Sequence, residues 1–348
     1  MSASSKLISQ RKKEHIDLCL NGDVAFKQKT NGFEHYDFKH YAITEVGISK
    51  INFGTEFLGK KISFPFLISC MTGGTTEAEN INERLSIAAN ELNIPLGVGS
   101  QRQAIENGKF HNSYKIIRKN APKIPVLGNI GAAQVAGNKS VEKIKLAADL
   151  VEADAMVIHA NPLQELLQDK GEPNFSGFLK SLKSLVKEIG IPVIVKEVGS
   201  GISKSAAERL LEAGVKGIDV AGAGGTSWAG VEILRNNGSS QNEFWDWGLP
   251  TSYCIRKIAK LKNNFDFILI GSGGVNNGVD IAKALALGAD ITASARIILK
   301  ELNNSGAEGV KKLIEGWFEV VRKIMFLTGS SNISGLREGK IIRKDKLY

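Results

Sequence analysis

Eight short apolar runs constrain the fold of this chain more than any other feature of its sequence. They are Pro65–Ser69, Ile94–Gly99, Pro125–Gly128, Ala155–His159, Pro192–Lys196, Gly217–Val220, Phe267–Ile270 and Asp290–Ala293. The runs start 23 to 50 residues apart, and most intervals are close to the ~30 residues of a strand–helix–strand unit. Because polar alternation is absent, they predict parallel strands that are buried on both faces.

Amphipathic stretches between these runs predict helices at Glu77–Leu92, Val141–Val151, Phe178–Ile189, Ser205–Ala213 and Val279–Leu287. Successive strand–helix units favour a closed (β/α)8 TIM barrel. An open doubly wound sheet stays the alternative, because a sequence does not reveal closure. We therefore predict an α/β fold with a single barrel.

The segments outside the repeat divide the chain further. We predict an N-terminal arm at 1–60 with a hairpin around Thr44–Lys61, the barrel at 61–328 and a C-terminal tail at 329–348. Residues 225–249 form a polar, Trp-rich insertion, which predicts a long loop after the sixth strand. Long loops in compact domains usually serve a site, so we expect the arm and this insertion to cover it.

Charge and cysteine content bound the class of protein. Lys and Arg exceed Asp and Glu by 45 to 36, a net charge of +9. This excess fits an anionic partner or a solvated surface. No zinc-finger spacing or RNP-like aromatic run favours nucleic acid, and no apolar run approaches the ~20 residues of a membrane span. The three cysteines match no disulfide or zinc pattern, and no signal peptide is evident. We expect a cytoplasmic protein without nucleic-acid or membrane partners.

Glycine is enriched, and its positions are informative. The chain has 37 glycines in 348 residues, about 11%, against a usual ~7%. Many follow the predicted strands, at the end of a barrel where active sites are built. The seventh strand leads into Gly271-Ser-Gly-Gly274 and the eighth into Ala293-Ser-Ala-Arg296, each followed by a helix. Tight turns are the alternative, but two such loops at these strands favour a phosphate site.

Polar residues at the other strand ends are candidates for chemistry. Lys196 closes the fifth strand, where a buried cation needs an anionic partner. A flavin, a phosphate or a Schiff-base carbonyl would meet that need, and so would an ion pair with Glu165. Glu165 is also a candidate Mg²⁺ ligand beside substrate phosphates, or a surface carboxylate. The basic cluster Arg11–His15 either binds an anion above the barrel or is a solvated run of charges.

Taken together, these segments resemble the type 2 isopentenyl-diphosphate isomerase family, FMN-dependent enzymes on a TIM barrel. The most specific stretches are Arg11-Lys-x-x-His15 and His159-x-Asn-x-x-Gln164-Glu165. Further matches, in order up to about residue 296, are Met71-Thr-Gly-Gly74, Gly97-Val-Gly-Ser-Gln-Arg102, Gly128-Asn-Ile-Gly131, Val195-Lys-Glu-Val-Gly199, Gly224-Gly-Thr-Ser-Trp228, Trp247-Gly-Leu-Pro-Thr251 and Gly271-Ser-Gly-Gly274. Ala295-Arg296 also matches, but Ala293-Ser-Ala-Arg296 departs from the pattern in one respect, because a more glycine-rich approach to the arginine is expected there.

The resemblance implies a 1,3-allylic proton shift between isopentenyl and dimethylallyl diphosphate, with no net redox change. It implies reduced FMN, Mg²⁺ on the diphosphate, NADPH as the reductant of the flavin, and a homotetramer or homo-octamer. The implied FMN contacts are Met71, Thr72, Gly73, Ser100, Asn129, Lys196, Thr226, Gly273, Gly274, Ala295 and Arg296. The implied substrate contacts are Arg11, Lys12, His15, Arg102, His159, Asn161 and Gln164. Glu165 is the implied metal ligand, and Gln164, His159 and Lys196 are the implied catalytic residues.

Two rival functions remain at this point. An FMN-dependent 2-hydroxy-acid oxidase would share the barrel but needs a base, usually histidine. None of the five histidines follows any of the last four predicted strands, which counts against it. A non-catalytic phosphate or nucleic-acid binder would use the +9 charge. The concentration of Gln164, Glu165 and Lys196 at strand ends favours a site over a surface.

Overall fold

The N-terminal arm contains a helix and a small hairpin. The structure is a computed structural model that describes residues 3–106, 108–136, 141–236 and 241–347. Its first elements are helix α1 (Ala3–Asn21) and strands β1 (Tyr36–Phe38), β2 (Thr55–Phe57) and β3 (Lys60–Ile62). Strands β2 and β3 pair in antiparallel fashion. The hairpin expected around Thr44–Lys61 therefore occupies only the second half of that range and extends to Ile62.

Eight parallel strands form a closed barrel, which confirms the predicted (β/α)8 class and excludes the open sheet. They are β4 (Phe66–Ile68), β5 (Leu96–Gly97), β6 (Val126–Gly131), β7 (Ala155–His159), β8 (Val193–Lys196), β9 (Gly217–Asp219), β10 (Ile268–Ser272) and β11 (Ile291–Ser294). Strand β11 pairs with β4 and closes the ring. Each strand lies within one of the eight apolar runs or overlaps it.

The barrel strands are buried on both faces, as their composition requires. One apolar cluster includes Leu67, Leu127, Val157, Ile194 and Ile270, while the alternate residues join a larger cluster with the helices. The two clusters thus take alternate residues of the same strands. Because both faces exclude water, the strands have no polar alternation, which explains the pattern in the sequence.

Helices alternate with the strands around the barrel. They are α2 (Thr76–Leu92), α3 (Arg102–Glu106), α4 (Asn112–Asn120), α5 (Ala132–Ala136), α6 (Val141–Leu150), α7 (Pro162–Leu167), α8 (Phe178–Glu188), α9 (Lys204–Glu212), α10 (Trp228–Arg235), α11 (Thr251–Ile258), α12 (Gly278–Ala286), α13 (Arg296–Leu327) and α14 (Ile333–Arg337). The five predicted helices are present, with ends displaced by at most one residue. Helix α13 is kinked at Gly306, whose φ of 71° is not helical.

The insertion after the sixth strand is helical in part, so the expectation of a long loop is incomplete. Helix α10 begins after Ser227, whose hydroxyl accepts a hydrogen bond from the Gly230 amide at 3.0 Å. This is an N-cap contact, followed by mostly apolar residues up to Leu234. Trp245 packs so closely against Gly230 that a Cβ there would lie 2.7 Å from the indole ring. The insertion therefore folds back on its own helix.

The C-terminal tail joins the N-terminal arm. Strand β12 (Ile341–Arg343) pairs in antiparallel fashion with β1, with Tyr36 opposite Arg343.

The three cysteines are free thiols. Across the described ranges, none of the helices combines the length and the apolar character that crossing a membrane requires.

Candidate active site

A buried lysine and a buried aspartate meet at the carboxyl end of the barrel. Lys196, the last residue of β8, lies with its Nζ 3.5 Å from Oδ2 of Asp219 and donates to the Glu197 carbonyl at 2.8 Å. Asp219 also accepts a hydrogen bond from the Ser272 hydroxyl. The ion pair that the sequence left open therefore exists, but its anion is Asp219 rather than Glu165. The available signal was the carboxylate within the apolar run Gly217–Val220.

His159 and Asn129 form the next pair along the same rim. Nδ1 of His159 lies 2.6 Å from Oδ1 of Asn129; because an amide oxygen accepts, Nδ1 carries the proton and Nε2 is an acceptor. Burial, together with the positive charges of Lys196 and Lys12, lowers the pKa of His159 to about 4. The imidazole is therefore neutral at pH 7, and it offers an acceptor rather than a cation before a ligand binds.

Helix α1 carries two cations into the mouth of the barrel. The Lys12 ammonium donates to the carbonyl oxygens of Gly73 and Ser100, the second at 3.1 Å, and lies 3.4 Å from the Tyr114 hydroxyl. Burial, with a contribution from Arg11, lowers the pKa of Lys12 to about 7. Burial also lowers the pKa of Arg11, although the charges of nearby carboxylates oppose this. Both cations are therefore poorly compensated.

Glu232 on α10 joins the arm to the barrel, and it was not among the residues predicted from the sequence. Its side chain is fully buried, and Oε1 receives hydrogen bonds from Nε2 of His15 at 2.9 Å and from Nε2 of Gln164 at 3.1 Å. Arg235 binds its other oxygen. Burial opposes ionisation of Glu232, but these contacts outweigh it and hold the pKa below its ordinary value. The available signal was a lone carboxylate within the apolar run 229–234.

Glu165 on α7 is surrounded by amides. Asn161 donates from Nδ2 to Oε1 of Glu165 at 3.1 Å and to Oε1 of Gln164 at 3.0 Å. In the part of the chain that the structure describes, the buried Oδ1 of Asn161 has no hydrogen-bond partner. Within those same residues, no group of three or more His, Cys, Asp or Glu side chains could hold a metal. A magnesium ion here would therefore need oxygen ligands from a substrate besides Glu165.

The glycine-rich loops after β9 and β10 pack against each other through their backbones. Gly273 and Gly274 have φ values of +102° and +68°, and a Cβ on Gly274 would collide with the Gly224 carbonyl. The Ser294 hydroxyl donates to the Val275 carbonyl at 2.8 Å, which joins the end of β11 to this loop. Loops without side chains would suit a phosphate group of FMN, because backbone amides can approach it closely.

The start of α13 completes this region. Its N-cap residue, Ala295, offers no side-chain hydrogen bond, so the first amides of the helix are left for a ligand or solvent. Arg296 donates from Nε to the Cys19 carbonyl at 2.9 Å and from Nη2 to the Gly22 carbonyl at 2.7 Å. Two of its donor atoms thus hold the end of α1, and a contact with an FMN phosphate stays a prediction.

The other expected flavin contacts lie at the same end of the barrel. The Thr72 carbonyl accepts from the Gly99 amide at 2.9 Å, so the loops after β4 and β5 adjoin. Met71 is half-buried against the core. Thr226 forms a bridge with Ala25 of the arm. The structure thus brings the expected contacts to one rim, covered by the arm.

Comparison with known proteins agrees with this architecture. The sequence pattern of the FMN-dependent dehydrogenase family matches residues 4–109 and 125–343. An isopentenyl-diphosphate delta-isomerase of Pelodictyon phaeoclathratiforme is 44% identical over 97% of this chain and 97% of its own. Another, from a Nostoc species, is 41% identical over 99% of this chain and 98% of its own.

Solved structures of flavoproteins share the fold at low identity. A mandelate oxidase mutant with an FMN adduct superimposes with a TM-score of 0.66 at 16% identity, covering 97% of this chain and 99% of its own. A flavocytochrome b2 mutant with bound pyruvate gives a TM-score of 0.69 at 18% identity, over 94% of this chain and 82% of its own. Because the family pattern covers most of the chain and relatives above 40% identity match it over nearly its full length, the chain belongs to the FMN-dependent dehydrogenase family and, within it, to the type 2 isopentenyl-diphosphate delta-isomerases.

Proposed function

We propose that the chain interconverts isopentenyl diphosphate and dimethylallyl diphosphate, with reduced FMN as its acid–base cofactor, in isoprenoid precursor biosynthesis. One structural observation carries the proposal. Helix α1 brings Lys12 and His15 onto the rim that holds Lys196, His159 and Gln164, so the two most specific motifs of the sequence meet in one place. The names of the full-length relatives support the same reaction.

The chemistry explains why such a site requires a cofactor. A proton must be added to one end of an unactivated allylic unit and another removed from its other end. The alkene is a very weak base, and a pKa shift of about 2–5 in a side chain is too small to protonate it. Reduced FMN, when bound, supplies the acid–base group, and NADPH is the proposed reductant that prepares it.

On the flavin side, the chain provides charge and shape. Lys196 would stabilise the anionic form of the reduced ring, and Asp219, whose Oδ2 lies 3.5 Å from the Lys196 Nζ, orients the buried ammonium. Thr72, Ser100, Asn129 and Thr226 would hold the ring system and its side chain. The loop amides near Gly273, Gly274 and Ala295 would bind the phosphate. The deep burial of Lys196 and Asn129 keeps water away from this part of the site.

On the substrate side, cations and one carboxylate would hold the diphosphate. Arg11, Lys12 and Arg102 supply the positive charges, and Glu165 supplies a ligand for Mg²⁺ on the diphosphate. Gln164 has both ends of its amide fixed, by Asn161 and by Glu232, and would orient the carbon chain or a proton near it. The anionic Glu232 is held by His15 and Arg235. Glu232 therefore positions the N-terminal arm and the Gln164 amide relative to each other.

An anaerobic assay tests this proposal directly. The protein is incubated with isopentenyl diphosphate, FMN, Mg²⁺ and NADPH, and dimethylallyl diphosphate is the expected product. Bleaching of the flavin by a 2-hydroxy acid, without a dimethylallyl product, would overturn the proposal in favour of an oxidase. Light scattering of the same preparation tests the proposed homotetramer or homo-octamer.

A further inference from the structure

The segment after α7 turns back onto the substrate side of the site through one residue, Glu172. Its carboxylate oxygen Oε1 lies 2.7 Å from Nη2 of Arg102, and Oε2 accepts from Nε2 of Gln134 at 3.1 Å. Its backbone amide donates to Oε2 of Glu165 at 2.7 Å. Glu172 thus binds two groups that we assign to opposite parts of the substrate complex.

These contacts resemble those expected of a magnesium diphosphate. The anionic carboxylate of Glu172 lies against Arg102, where an anionic phosphate is expected. Its partly positive N–H lies against Glu165, where a cation is expected. The approach is tight, because a Cβ on the preceding Gly171 would collide with the Glu165 carbonyl. Glu172 therefore occupies both the anion-binding group, Arg102, and the cation-binding group, Glu165.

The contacts of Glu172 are also weak enough for a diphosphate to replace them. Side-chain exposure is 25% for Arg102 and 39% for Glu172, so water reaches both partners of the ion pair. Exposed ion pairs contribute only about 0.2–1 kcal/mol, so an incoming diphosphate with its metal can replace this one. Glu106 also pairs with Arg102, at 3.2 Å, and lies on the same helix. This second ion pair can therefore stay in place when Glu172 and the 168–174 segment are displaced.

From this geometry, and resting on the proposed function, we propose that Glu172 is an internal competitor of the magnesium diphosphate. It holds Arg102 and Glu165 in place in the free enzyme and is displaced when substrate binds. Glu172 is thus an affinity-setting residue, which acts through Arg102 and Glu165 rather than on the reacting carbons. Its removal strengthens binding of the diphosphate part and leaves the chemical step unchanged.

Calorimetry on the FMN holoenzyme tests the competition without turnover. Magnesium pyrophosphate is titrated into wild type, Glu172→Gln and Glu172→Ala. The dissociation constant is expected to fall roughly two- to fivefold in both variants, the range that an exposed ion pair supports. The KM for isopentenyl diphosphate should fall by a similar factor, with kcat unchanged. Asp169→Asn is the matched control, because it removes the same charge from an exposed position of the segment.

The outcomes separate this inference from the function on which it rests. Unchanged or weaker binding of magnesium pyrophosphate by both Glu172 variants would overturn the competition and make Glu172 a support of Arg102. An equal gain in Asp169→Asn would also overturn it, because the gain would then be a general effect of charge. If wild type neither isomerises the substrate nor binds magnesium pyrophosphate, the proposed function itself fails.

Discussion

Lys12 should make diphosphate binding sensitive to pH just above neutrality. Its ammonium is held by two carbonyl oxygens and faces the Tyr114 hydroxyl, with Arg11 beside it and His159 nearby on the rim. Among the described residues, it forms no ion pair with a carboxylate. Burial and the charge of Arg11 therefore lower its pKa from 10.5 to about 7. An anionic ligand supplies the missing partner and requires the proton.

The size of the effect follows from that pKa. The pKa of Lys12 falls by about 3.5, and each pKa unit corresponds to about 1.4 kcal/mol. Burial therefore disfavours the charged form of Lys12 by roughly 5 kcal/mol. Between pH 7 and about 10, the unfolded chain then binds more protons than the folded one, so the free energy of unfolding rises with pH. Ligand binding has the opposite trend. At pH 9 only about 1% of Lys12 is charged in the free enzyme, which weakens binding roughly 100-fold if the ligand requires the ammonium.

A ratio of dissociation constants isolates this residue. Magnesium pyrophosphate is titrated into wild type and Lys12→Arg from pH 6 to pH 9, and the ratio of their constants cancels the titration of ligand and flavin. We expect the ratio to be flat below pH 7 and to rise about tenfold per pH unit above it. Lys12→Met should bind weakly, with no such break, and Lys13→Arg, an exposed neighbour, should behave as wild type. A ratio that changes less than about threefold up to pH 9 would refute the reasoning.

Three further substitutions test separate parts of the site. Glu165→Gln should impair the Mg²⁺ dependence of turnover while FMN still binds; unchanged Mg²⁺ dependence would contradict its role as a metal ligand. Glu232→Gln leaves Arg235 without its buried carboxylate, so urea unfolding should show a loss of about 3 kcal/mol. The kcat should fall more than KM changes, because Gln164 loses its charged hydrogen-bond acceptor. Gly274→Ala should weaken FMN binding at least tenfold in a fluorescence titration, because its positive φ and the Gly224 carbonyl exclude a Cβ. Gly316→Ala, at a helical position with open space, is its control and should be stabilising by about 0.5–1 kcal/mol; equal FMN affinity in both variants would refute the cradle.

The barrel was predictable because burial on both faces acts on each strand separately. Each of the eight runs contains the information for its own strand, and the helices between them are amphipathic for the same local reason. The glycine loops were predictable for a related reason. Where one backbone approaches another, as at Gly274, there is no room for a side chain. A single residue of the sequence, the glycine itself, is enough to indicate such a close approach.

The partners across the site were not predictable, because they join residues that are distant in the sequence. Lys196 was expected to need an anion, but nothing local distinguishes Asp219 from Glu165 as that anion. Glu232 escaped notice for a second reason, since its segment was expected to be a loop. Once α10 is a helix, Glu232 faces Gln164 and His15, which are 68 and 217 residues away in the chain. Closure of the barrel and docking of the arm create these pairs.

Among the described residues, three cations of the site have carboxylate partners, which changes the meaning of the +9 charge. Lys196 pairs with Asp219, Arg102 with Glu172 and Arg235 with Glu232. The deficit is concentrated on α1, where burial lowers the pKa of both Arg11 and Lys12. A diphosphate would therefore bind by relieving two poorly compensated cations and by exchanging the partner of a third. The same helix is held in place by His15 on Glu232 and by Arg296 on the carbonyl oxygens of Cys19 and Gly22. Docking of the arm therefore places Arg11 and Lys12 where a diphosphate would supply the charge that they lack.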